Sequence, residues 1–404
     1  MKKILIIGCG AQGSVIARRI SQEESVSEII CADYNEESAK ELEKRIRKAR
    51  AIQLDASNVK EIIEASKGVN LIVNAVPPNF NKNIMEAAFQ GHVYYQDMAS
   101  GPVGIKGVSF VKSVTSQLDL NEKWKKAGLR ALINTGISPG MTNVIAKNCA
   151  DDLVTCKKIK IWFYDSLKTG KFIPIWWSPE TAWGDLVAKP TIFENDRFIE
   201  VEPFSNEEYL DIPGVGLRRF VAHEHEEVIT LGLYIKGLEY AEMKMGGPIC
   251  EFAQSLYKFG LLDVQPINVK GTRIVPLDVI QALTPSAPST PKQVRNIIES
   301  GVELEETRFI VTVEGEKDGR KVEYINYINT PSLEESFRLF QVSPISYVTG
   351  SCAAVFTKLL IRDRISLTGV YPPEALDKDI RNEFLEEISA NHITVDQIIK
   401  RRIF

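Results

Sequence analysis

The sequence predicts an α/β protein in which a doubly wound parallel sheet, completed by C-terminal helices, is joined to a second, mixed α+β domain. Three observations predict this class. Strand and helix patterns alternate through the first 135 residues, a glycine-rich turn joins the first strand to the first helix, and the pattern becomes strand-rich from residue 136. Alternating strands and helices are typical of a parallel sheet with helices on both faces.

The first 135 residues carry six strand patterns and five helical ones. Apolar runs bounded by turn residues predict strands at 3–8, 27–33, 50–54, 70–75, 92–96 and 129–134. Apolar residues at helical spacing predict helices at 12–24, 36–48, 58–67, 80–90 and 116–127. In such a sheet the carboxyl ends of the strands border the ligand crevice.

The turn after the first strand has the spacing G-x-G-x-x-G, in Gly8, Gly10 and Gly13. Gly8 permits the tight turn, Gly10 lets a pyrophosphate approach the backbone, and Gly13 lets the helix pack closely on the strand. The amides at the helix start favour the phosphate charge. The sequence therefore predicts a Rossmann dinucleotide site, with a purely structural turn as the alternative. Its turn residues are Gly8, Gly10, Ala11, Gln12 and Gly13.

Asp33 lies twenty residues after Gly13, at the end of the second predicted strand. An acid at this position accepts both hydroxyls of an adenosine ribose and repels a 2′-phosphate. Because Tyr34 and Asn35 follow, with no arginine to bind that phosphate, the sequence favours NAD over NADP. The alternatives for Asp33 are a solvated strand-end acid and the N-cap of the helix that starts at Glu36.

Three predicted units follow one another along the chain: a dinucleotide-binding domain at 1–135, a substrate-binding and dimerisation domain at 136–345, and a C-terminal segment at 346–404 that returns to the first domain. The second domain is expected to be built on a largely antiparallel sheet. The patterns within it and after it predict hairpins at 191–201 and 309–328, helices at 248–261, 291–299 and 348–361, and a loop at 284–291.

Composition argues against several classes of function. A net charge of −4 gives no reason to expect nucleic acid or an anionic membrane as a partner. No apolar run is expected to reach the roughly 18 residues of a membrane span, and the chain begins on a strand pattern without a secretory signal. Six cysteines without a C-x-x-C pair, and histidines without metal spacing apart from His223 and His225, predict a cytoplasmic protein with no bound metal.

Five further motifs follow the glycine turn. In order they are Leu54-Asp55-Ala56, Val73-Asn74-Ala75-Val76-Pro77-Pro78, Tyr95-Gln96-Asp97-Met98-Ala99, Gly136-Ile137-Ser138-Pro139-Gly140-Met141-Thr142-Asn143 and Gly369-Val370-Tyr371-Pro372-Pro373-Glu374. Together they resemble the saccharopine dehydrogenase family over nearly the whole chain. Members of that family transfer hydride between a nicotinamide cofactor and an amine, so the resemblance implies an oxidoreductase that acts on a C–N bond.

The resemblance also implies positions for cofactor and substrate. Residues by the adenine or on the nicotinamide side would be Asp55, Ala56, Asn74, Ala75 and Pro77. Residues that run between the domains and touch cofactor or substrate would be Gly136, Thr142 and Asn143. Asp97 would lie at the active-site crevice.

Amine oxidation needs a base, because an ammonium has no lone pair with which to expel a hydride. Asp97 is the first candidate for this role or for holding the substrate ammonium, with a turn-capping carboxylate as the alternative. His223 and His225 are the second candidates, because alternate residues of a strand share a face and histidine titrates near neutral pH. An exposed polar strand is the alternative for both.

Two more groups near the predicted site have open roles. Arg218 and Arg219 lie close to the histidines in sequence and are candidates to bind a substrate carboxylate. The tryptophans at 176, 177 and 183 either form a wall of the pocket or pack within the sheet.

The favoured hypothesis is an NAD-dependent dehydrogenase, similar to lysine 6-dehydrogenase, that acts on a small-molecule amine or amino acid. Saccharopine or carboxynorspermidine dehydrogenase, which join a carbonyl and an amine, are the alternatives within the family. A non-catalytic NAD-binding sensor is the alternative outside it. A homo-oligomer, dimer or tetramer, is also expected through the second domain. Its antiparallel sheet must cover one face with helices or with another chain, and strands 159–164 and 309–313 are candidates for that covered face.

Overall fold

The computed structural model describes residues 1–101, 109–171 and 175–401. Its first part alternates strands and helices. The strands are β1 (Lys2–Ile7), β2 (Val26–Asp33), β3 (Ala49–Gln53), β4 (Leu71–Asn74), β5 (Tyr94–Gln96) and β6 (Arg130–Leu132). The helices are α1 (Ala11–Ile20), α2 (Glu36–Arg45), α3 (Val59–Ala65), α4 (Asn81–Gln90), α5 (Phe110–Leu118) and α6 (Asn121–Lys126), with a 3-10 turn at Pro78–Phe80.

The single helix predicted at 116–127 is wrong. The Ser109 side chain accepts a hydrogen bond from the Lys112 amide and starts α5 several residues earlier. Asp119 then ends α5, and α6 starts after Leu120. Because Ser109 is the N-cap of α5, this helix starts before the residues that were predicted to be helical.

The second part of the chain is rich in strands. They are β7 (Thr155–Asp165), β8 (Lys168–Thr169), β9 (Thr191–Glu194), β10 (Arg197–Glu200), β11 (Glu208–Ile212), β12 (Gly216–Ala222), β13 (Tyr240–Gly246), β14 (Ile267–Val269), β15 (Thr272–Ile274), β16 (Val302–Leu304), β17 (Thr307–Lys317) and β18 (Arg320–Asn329). The helices are α7 (Met141–Asp151), α8 (Pro179–Val187), α9 (Glu227–Tyr234), α10 (Pro248–Lys258), α11 (Pro276–Leu283), α12 (Pro291–Glu299) and α13 (Leu333–Phe340). Both predicted hairpins are present, as β9–β10 and β17–β18.

The tail returns to the first domain, as predicted, and also reaches the second sheet. Its elements are α14 (Pro344–Ile361), β19 (Gly369–Tyr371), a 3-10 turn at Pro373–Ala375, α15 (Lys378–Ser389) and β20 (Thr394–Arg401). Helix α14 packs on α1 so closely that a Cβ on Gly350 would lie 2.7 Å from Val15 Cβ. Strand β19 pairs with β6, and β20 pairs with β18.

The first sheet has the order β19-β6-β5-β4-β1-β2-β3, and every neighbouring pair is parallel. The chain therefore runs outward from β1 in one direction through β2 and β3 and in the other through β4. This is the predicted doubly wound sheet, with one strand added by the tail. The carboxyl ends of β1 and β4 meet where the order reverses, which is where such sheets bind ligands.

The second sheet has the order β10-β9-β13-β7-β17-β18-β20, and β12 attaches β11 to β13. Strands β13 and β7 are parallel, and the other described pairs are antiparallel. The prediction of a mixed domain on a largely antiparallel sheet is confirmed.

Strands β7 and β17 are the centre of this sheet, and the monomer itself covers them. Ile159 and Phe163 lie in the main core, whereas Trp162 on the opposite face packs with Ile310 and with Phe220 of β12. The strands 159–164 and 309–313 are covered within the chain, because α7 packs on one side of them and β11–β12 on the other. Of the two expected kinds of cover, helices and another chain, the structure shows the first, and the homo-oligomer stays a prediction.

Among the described residues, α14 is long and apolar enough to span a membrane, with a mean hydropathy of 1.3 over 18 residues. Within the protein, 89% of that stretch is buried. The expectation that no apolar run reaches the length of a membrane span is wrong, because the Ser and Thr residues within α14 do not lower its mean hydropathy enough.

Candidate active site

In the glycine turn between β1 and α1, Gly8 and Gly13 have no room for a side chain, whereas Gly10 faces open space. Gly8 has φ +101°, and a Cβ on it would lie 2.7 Å from the Ala75 carbonyl carbon. A Cβ on Gly13 would lie 1.9 Å from the Gly8 oxygen, whereas one on Gly10 would meet nothing within 4 Å. Helix α1 has no side-chain cap and no acid in its first turn. The turn residues therefore fit a dinucleotide pyrophosphate, because a phosphate can reach free amides over Gly10.

Asp33 ends β2 beside this turn. Its Oδ2 accepts a hydrogen bond from the Cys9 amide (2.7 Å), and its Oδ1 accepts one from the Asn35 amide (2.8 Å). Asn35, not Asp33, is the N-cap of α2, since its side chain accepts from the Glu37 amide. The interpretation of Asp33 as that cap is therefore wrong, and its carboxylate is held at the turn where a ribose would lie. Asp55 and Ala56 follow β3 at the same edge of the sheet.

The end of β4 forms the next part of the crevice. Asn74 is buried and donates through Nδ2 to Asn81 Oδ1 (2.8 Å) and to the Tyr95 hydroxyl (3.0 Å). Its Oδ1 accepts from the Val76 amide (3.1 Å), so it fixes the turn that follows. Ala75 and Pro77 in this turn line the adjoining cavity.

A cavity of about 250 Å³ lies where the two domains meet. The first domain contributes Gln12 of the glycine turn, the end of β4 and Asp97 after β5. The second domain contributes α8 and the segment between β12 and α9, including His223 and His225. The glycine turn, Asp97 and both histidines, singled out separately in the sequence, are thus brought to one cavity.

Asp97 is buried and held by three donors. Its Oδ2 accepts from the Tyr95 hydroxyl (2.9 Å) and Gln117 Nε2 (2.7 Å), and its Oδ1 accepts from the Asn134 amide (2.8 Å). Burial raises the pKa of Asp97 to about 7, although these donors lower it; the nearby Glu226 carboxylate adds to the rise. A carboxyl group with this pKa is suited to exchange a proton near neutral pH.

His223 and His225 follow β12 instead of lying in a strand, so the predicted strand alternation does not apply to them. Their ring centroids are nevertheless 6.0 Å apart and face the same cavity. Burial lowers the pKa of His225, but Glu227, which hydrogen-bonds to Nδ1, and Glu226 raise it to about 10. Burial and the charge on His225 lower the pKa of His223 to about 3. At neutral pH His225 is therefore a cation and His223 is neutral.

Asp185 of α8 is a cavity residue that the sequence analysis did not identify. Burial raises its pKa well above the usual range; His225 opposes the rise, and Glu226 and Glu224 add to it. Ser178, Thr181 and Asp185 all line the cavity, and they are spaced at three and four residues along one face of the helix. This spacing is the signal that could have identified Asp185.

The described residues that line the cavity include no lysine or arginine. Arg219 pairs with Glu207 (2.7 Å), and Arg218 lies 5.8 Å from the centroid of the Tyr164 ring. The structure therefore places neither arginine on the cavity wall.

Gly136, Thr142 and Asn143 lie behind the cavity wall. Asn143 Oδ1 accepts from the Gly140 amide (3.1 Å), and its Nδ2 donates to Glu374 Oε1 (2.8 Å). Gly136 and Gly140 form an isolated β-bridge, and residues 137–139 between them line the cavity. These residues hold the wall in place and do not line it.

The three tryptophans have different positions. Trp177 lines the cavity. Trp176 is buried and donates to Asp165 Oδ2 (3.0 Å), and Trp183 is buried and donates to Thr284 Oγ1 (2.8 Å). One tryptophan therefore forms pocket wall, and two pack within the domain.

His225, Glu226 and Glu227 have potential metal-ligand atoms within 4.8 Å of one another. These atoms already have partners in the protein. Glu227 bonds to His225 and accepts from the Ser138 hydroxyl, and Glu226 accepts from the Gly101 amide (2.7 Å). The cluster is accounted for as a hydrogen-bonded ion-pair network.

The chain has the fold and site of a dinucleotide-dependent oxidoreductase. Residues 4–132 match the family model described as the saccharopine dehydrogenase NADP binding domain, and residues 136–393 match that of the saccharopine dehydrogenase C-terminal domain. The chain therefore belongs to the saccharopine dehydrogenase family, and it is an NAD(P)-dependent oxidoreductase of that family. The resemblance noted from the sequence is confirmed.

Two curated relatives are similar over most of their length. The carboxynorspermidine synthase of Vibrio alginolyticus is 26% identical over 397 residues, which cover 93% of this chain and 92% of that protein. The carboxyaminopropylagmatine dehydrogenase of Synechocystis is 25% identical, covering 94% of each chain.

Two solved structures share the fold. Saccharopine dehydrogenase (L-Glu forming) from Saccharomyces cerevisiae has a TM-score of 0.70 at 13% identity and covers 99% of this chain and 100% of its own. Homospermidine synthase from Legionella pneumophila, solved with NAD, has a TM-score of 0.69 at 14% identity and covers 99% of this chain and 91% of its own.

Proposed function

We propose that this enzyme acts on the C–N bond of an amine that carries at least two nitrogen cations and a single carboxylate. The observation that carries the proposal is the set of acids in the cavity: Asp97, Asp185 and Glu226 line it, its described wall has no lysine or arginine, and the imidazolium of His225 there is already paired with Glu227 and Glu226. Buried acids favour a cationic ligand, and a ligand with several carboxylates would need cationic partners.

Carboxynorspermidine and related carboxyalkylated polyamines fit this description best, because they carry several amines and one carboxylate. The names of the two curated relatives support this choice. Lysine, favoured from the sequence, is the second candidate because it also has two amines and one carboxylate. Saccharopine carries three carboxylates and fits the acidic cavity poorly.

The residues that line the cavity have different roles in the proposed reaction. The turn from Gly8 to Gly13 would hold the dinucleotide, whose nicotinamide would supply or accept the hydride. Asp97 takes the proton from the reacting ammonium in the direction of oxidation and returns it in the direction of reduction. A second nitrogen cation would lie against Asp185 and Glu226, where its charge favours the ionised form of the Asp185 carboxyl group, and Trp177 lines the same cavity. A non-catalytic sensor would have no need for a carboxyl group that titrates near neutral pH within this cavity.

The test is an initial-rate screen with carboxynorspermidine, lysine and saccharopine, each with NAD⁺ and with NADP⁺. We expect oxidation of carboxynorspermidine to have the highest kcat/KM, followed by lysine. In the reverse direction, reduced cofactor should be consumed when the matching carbonyl and amine are both present. A clear preference for saccharopine, or no turnover with any of the three, would contradict the proposal.

A further inference from the structure

His223 is a buried residue of the cavity wall whose ring has no partner in the described protein. It directly follows β12 and is 6% exposed. Its backbone is fixed, because its amide donates to the Met243 oxygen (2.9 Å). Within the described part of the chain its two ring nitrogens make no hydrogen bond, and the side chain lines the cavity. Buried polar groups are normally paired, so this ring points to a polar group of a ligand.

The neighbouring histidine, His225, is in a different state. Its Nδ1 is hydrogen-bonded to Glu227 and lies 3.2 Å from Glu226 Oε2, so its imidazolium is already paired. Its ring centroid is 6.0 Å from that of His223. Of the two rings, that of His223 is therefore the one free to meet a ligand, and it has a cationic ring beside it.

The charges of the cavity are separated. Glu226 raises the pKa of both Asp97 and Asp185, so these three acids lie within reach of one another's charge. Burial and the charge on His225 lower the pKa of His223 to about 3, and none of the three acids contributes to that shift. A carboxylate close to His223 would raise its pKa, as Glu226 does for His225. The charge that acts on His223 is therefore a cation.

We propose that His223 binds the carboxylate of the substrate, while the nitrogen cations of the substrate lie toward the three acids. This inference rests on the proposed function, which requires an amine with one carboxylate. A neutral imidazole has one ring N–H, which can donate to a carboxylate oxygen. A hydrogen bond to a charged acceptor is stronger than one between neutral groups, and the imidazolium of His225 adds attraction. The carboxylate is thus bound although the described cavity wall has no lysine or arginine.

The test compares two ligands that differ only in this carboxylate, carboxynorspermidine and norspermidine. Titration calorimetry measures the binding of each to enzyme saturated with the reduced nicotinamide cofactor, with which the amine cannot be oxidised. His223→Leu removes the N–H donor and keeps a side chain of similar size. It should weaken the binding of carboxynorspermidine at least tenfold, about 1.4 kcal/mol, and leave that of norspermidine within about twofold.

Two further variants separate carboxylate binding from a structural role. His223→Gln keeps an N–H donor, so it should lose less affinity for carboxynorspermidine than His223→Leu, and it carries the test if the leucine variant does not fold. The matched control is Asp185→Asn, which should weaken both ligands by a similar factor, because both carry the nitrogen cations. A merely structural role of His223 would give its variants this same equal loss.

The outcomes distinguish this inference from the proposed function. A loss confined to carboxynorspermidine in the His223 variants supports the inference. An equal loss for both ligands, or no loss for either, would overturn it and leave the proposed function standing. Binding of neither ligand to the unmodified enzyme would overturn both.

Discussion

Asp97 is an acid whose three hydrogen-bond donors hold it in place while burial keeps its pKa near 7. Asp97→Asn retains the shape of the side chain but cannot take a proton. We expect turnover to fall by about 10²- to 10⁴-fold, the usual contribution of a general acid–base group, with cofactor binding and melting temperature nearly unchanged. Steady-state kinetics with the substrate found in the screen, together with thermal melts, measure this.

The opposite pattern would make Asp97 a structural cap. In that case the variant would lose stability and keep its turnover per folded molecule. The proton-transfer role would then pass to one of the two histidines that line the same cavity, and His223→Gln and His225→Gln would be the next variants.

Asp33 is expected to select NAD over NADP. Its carboxylate lies at the glycine turn, and a 2′-phosphate there would be repelled. Titration of both cofactors should show tighter binding of NAD, and Asp33→Ser should narrow the difference. Equal or tighter binding of NADP by the unmodified protein would rule out this role.

Single residues were predictable from the sequence where a local motif defines them. Gly8, Gly10, Gly13 and Asp33 depend on one strand–turn–helix unit, so their spacing alone positions them. Asp185 was missed because its role depends on which face of α8 meets another domain. Arg218 and Arg219 were placed near the histidines in sequence, but β12 directs them away from the cavity.

At the scale of elements, the strand–turn–helix unit of β1 and α1 can be tested with two glycine variants. A Cβ on Gly13 would collide with the Gly8 oxygen at 1.9 Å, whereas a Cβ on Gly10 meets open space. Gly13→Ala should therefore lower the melting temperature and abolish cofactor binding. Gly10→Ala should fold normally and still weaken cofactor binding, because the methyl group occupies the space of the pyrophosphate. Normal cofactor affinity in Gly10→Ala would contradict this placement.

The segment that joins β12 to α9 depends on a buried ion pair. The pKa of His225 is raised from 6.5 to about 10, so its stabilising charge is fully present below pH 6.5 and lost as the pH rises through 10. Removing one partner of a buried pair typically costs about 3–5 kcal/mol. Glu227→Gln should therefore lower the free energy of unfolding by about this amount at pH 7 and by less above pH 10.

Urea denaturation at the two pH values measures the effect of this pair. The matched control is Glu239→Gln, which removes an exposed partner of Lys157 and should cost about 1 kcal/mol or less at both pH values. An equal loss of stability for Glu227→Gln at both pH values would contradict the charged state assigned to His225.

The elements themselves were predicted well where their pattern is long. Strands β1 to β6 of the first sheet and the hairpins β9–β10 and β17–β18 follow apolar patterns in the sequence. Strands β19 and β20 were not predicted, because β19 has only three residues and β20 exposes most of its side chains. Both segments are strands because they pair with β6 and β18, which lie earlier in the chain, and not because of their local sequence pattern.

At the scale of the whole molecule, the active site exists only because two sheets meet. The first sheet supplies the cofactor turn and Asp97, and the second domain supplies Asp185 and the two histidines. The sequence predicted the class of each domain but not how they dock, since docking depends on surfaces distant in sequence. The acidic character of the cavity, and with it the proposed substrate class, therefore became visible only in the structure.

The most direct test of this substrate class is the kcat/KM for the amine substrate in Asp185→Asn. The variant keeps the size of the side chain and removes the carboxyl group that a bound nitrogen cation would keep ionised beside it. We expect a rise in KM with a smaller change in kcat, giving at least a tenfold loss in kcat/KM, about 1.4 kcal/mol, while the affinity for NAD stays the same. The control Asp196→Asn, in the β9–β10 turn, should match the unmodified enzyme. An unchanged kcat/KM in Asp185→Asn would contradict the assignment of this cavity to a polycationic amine.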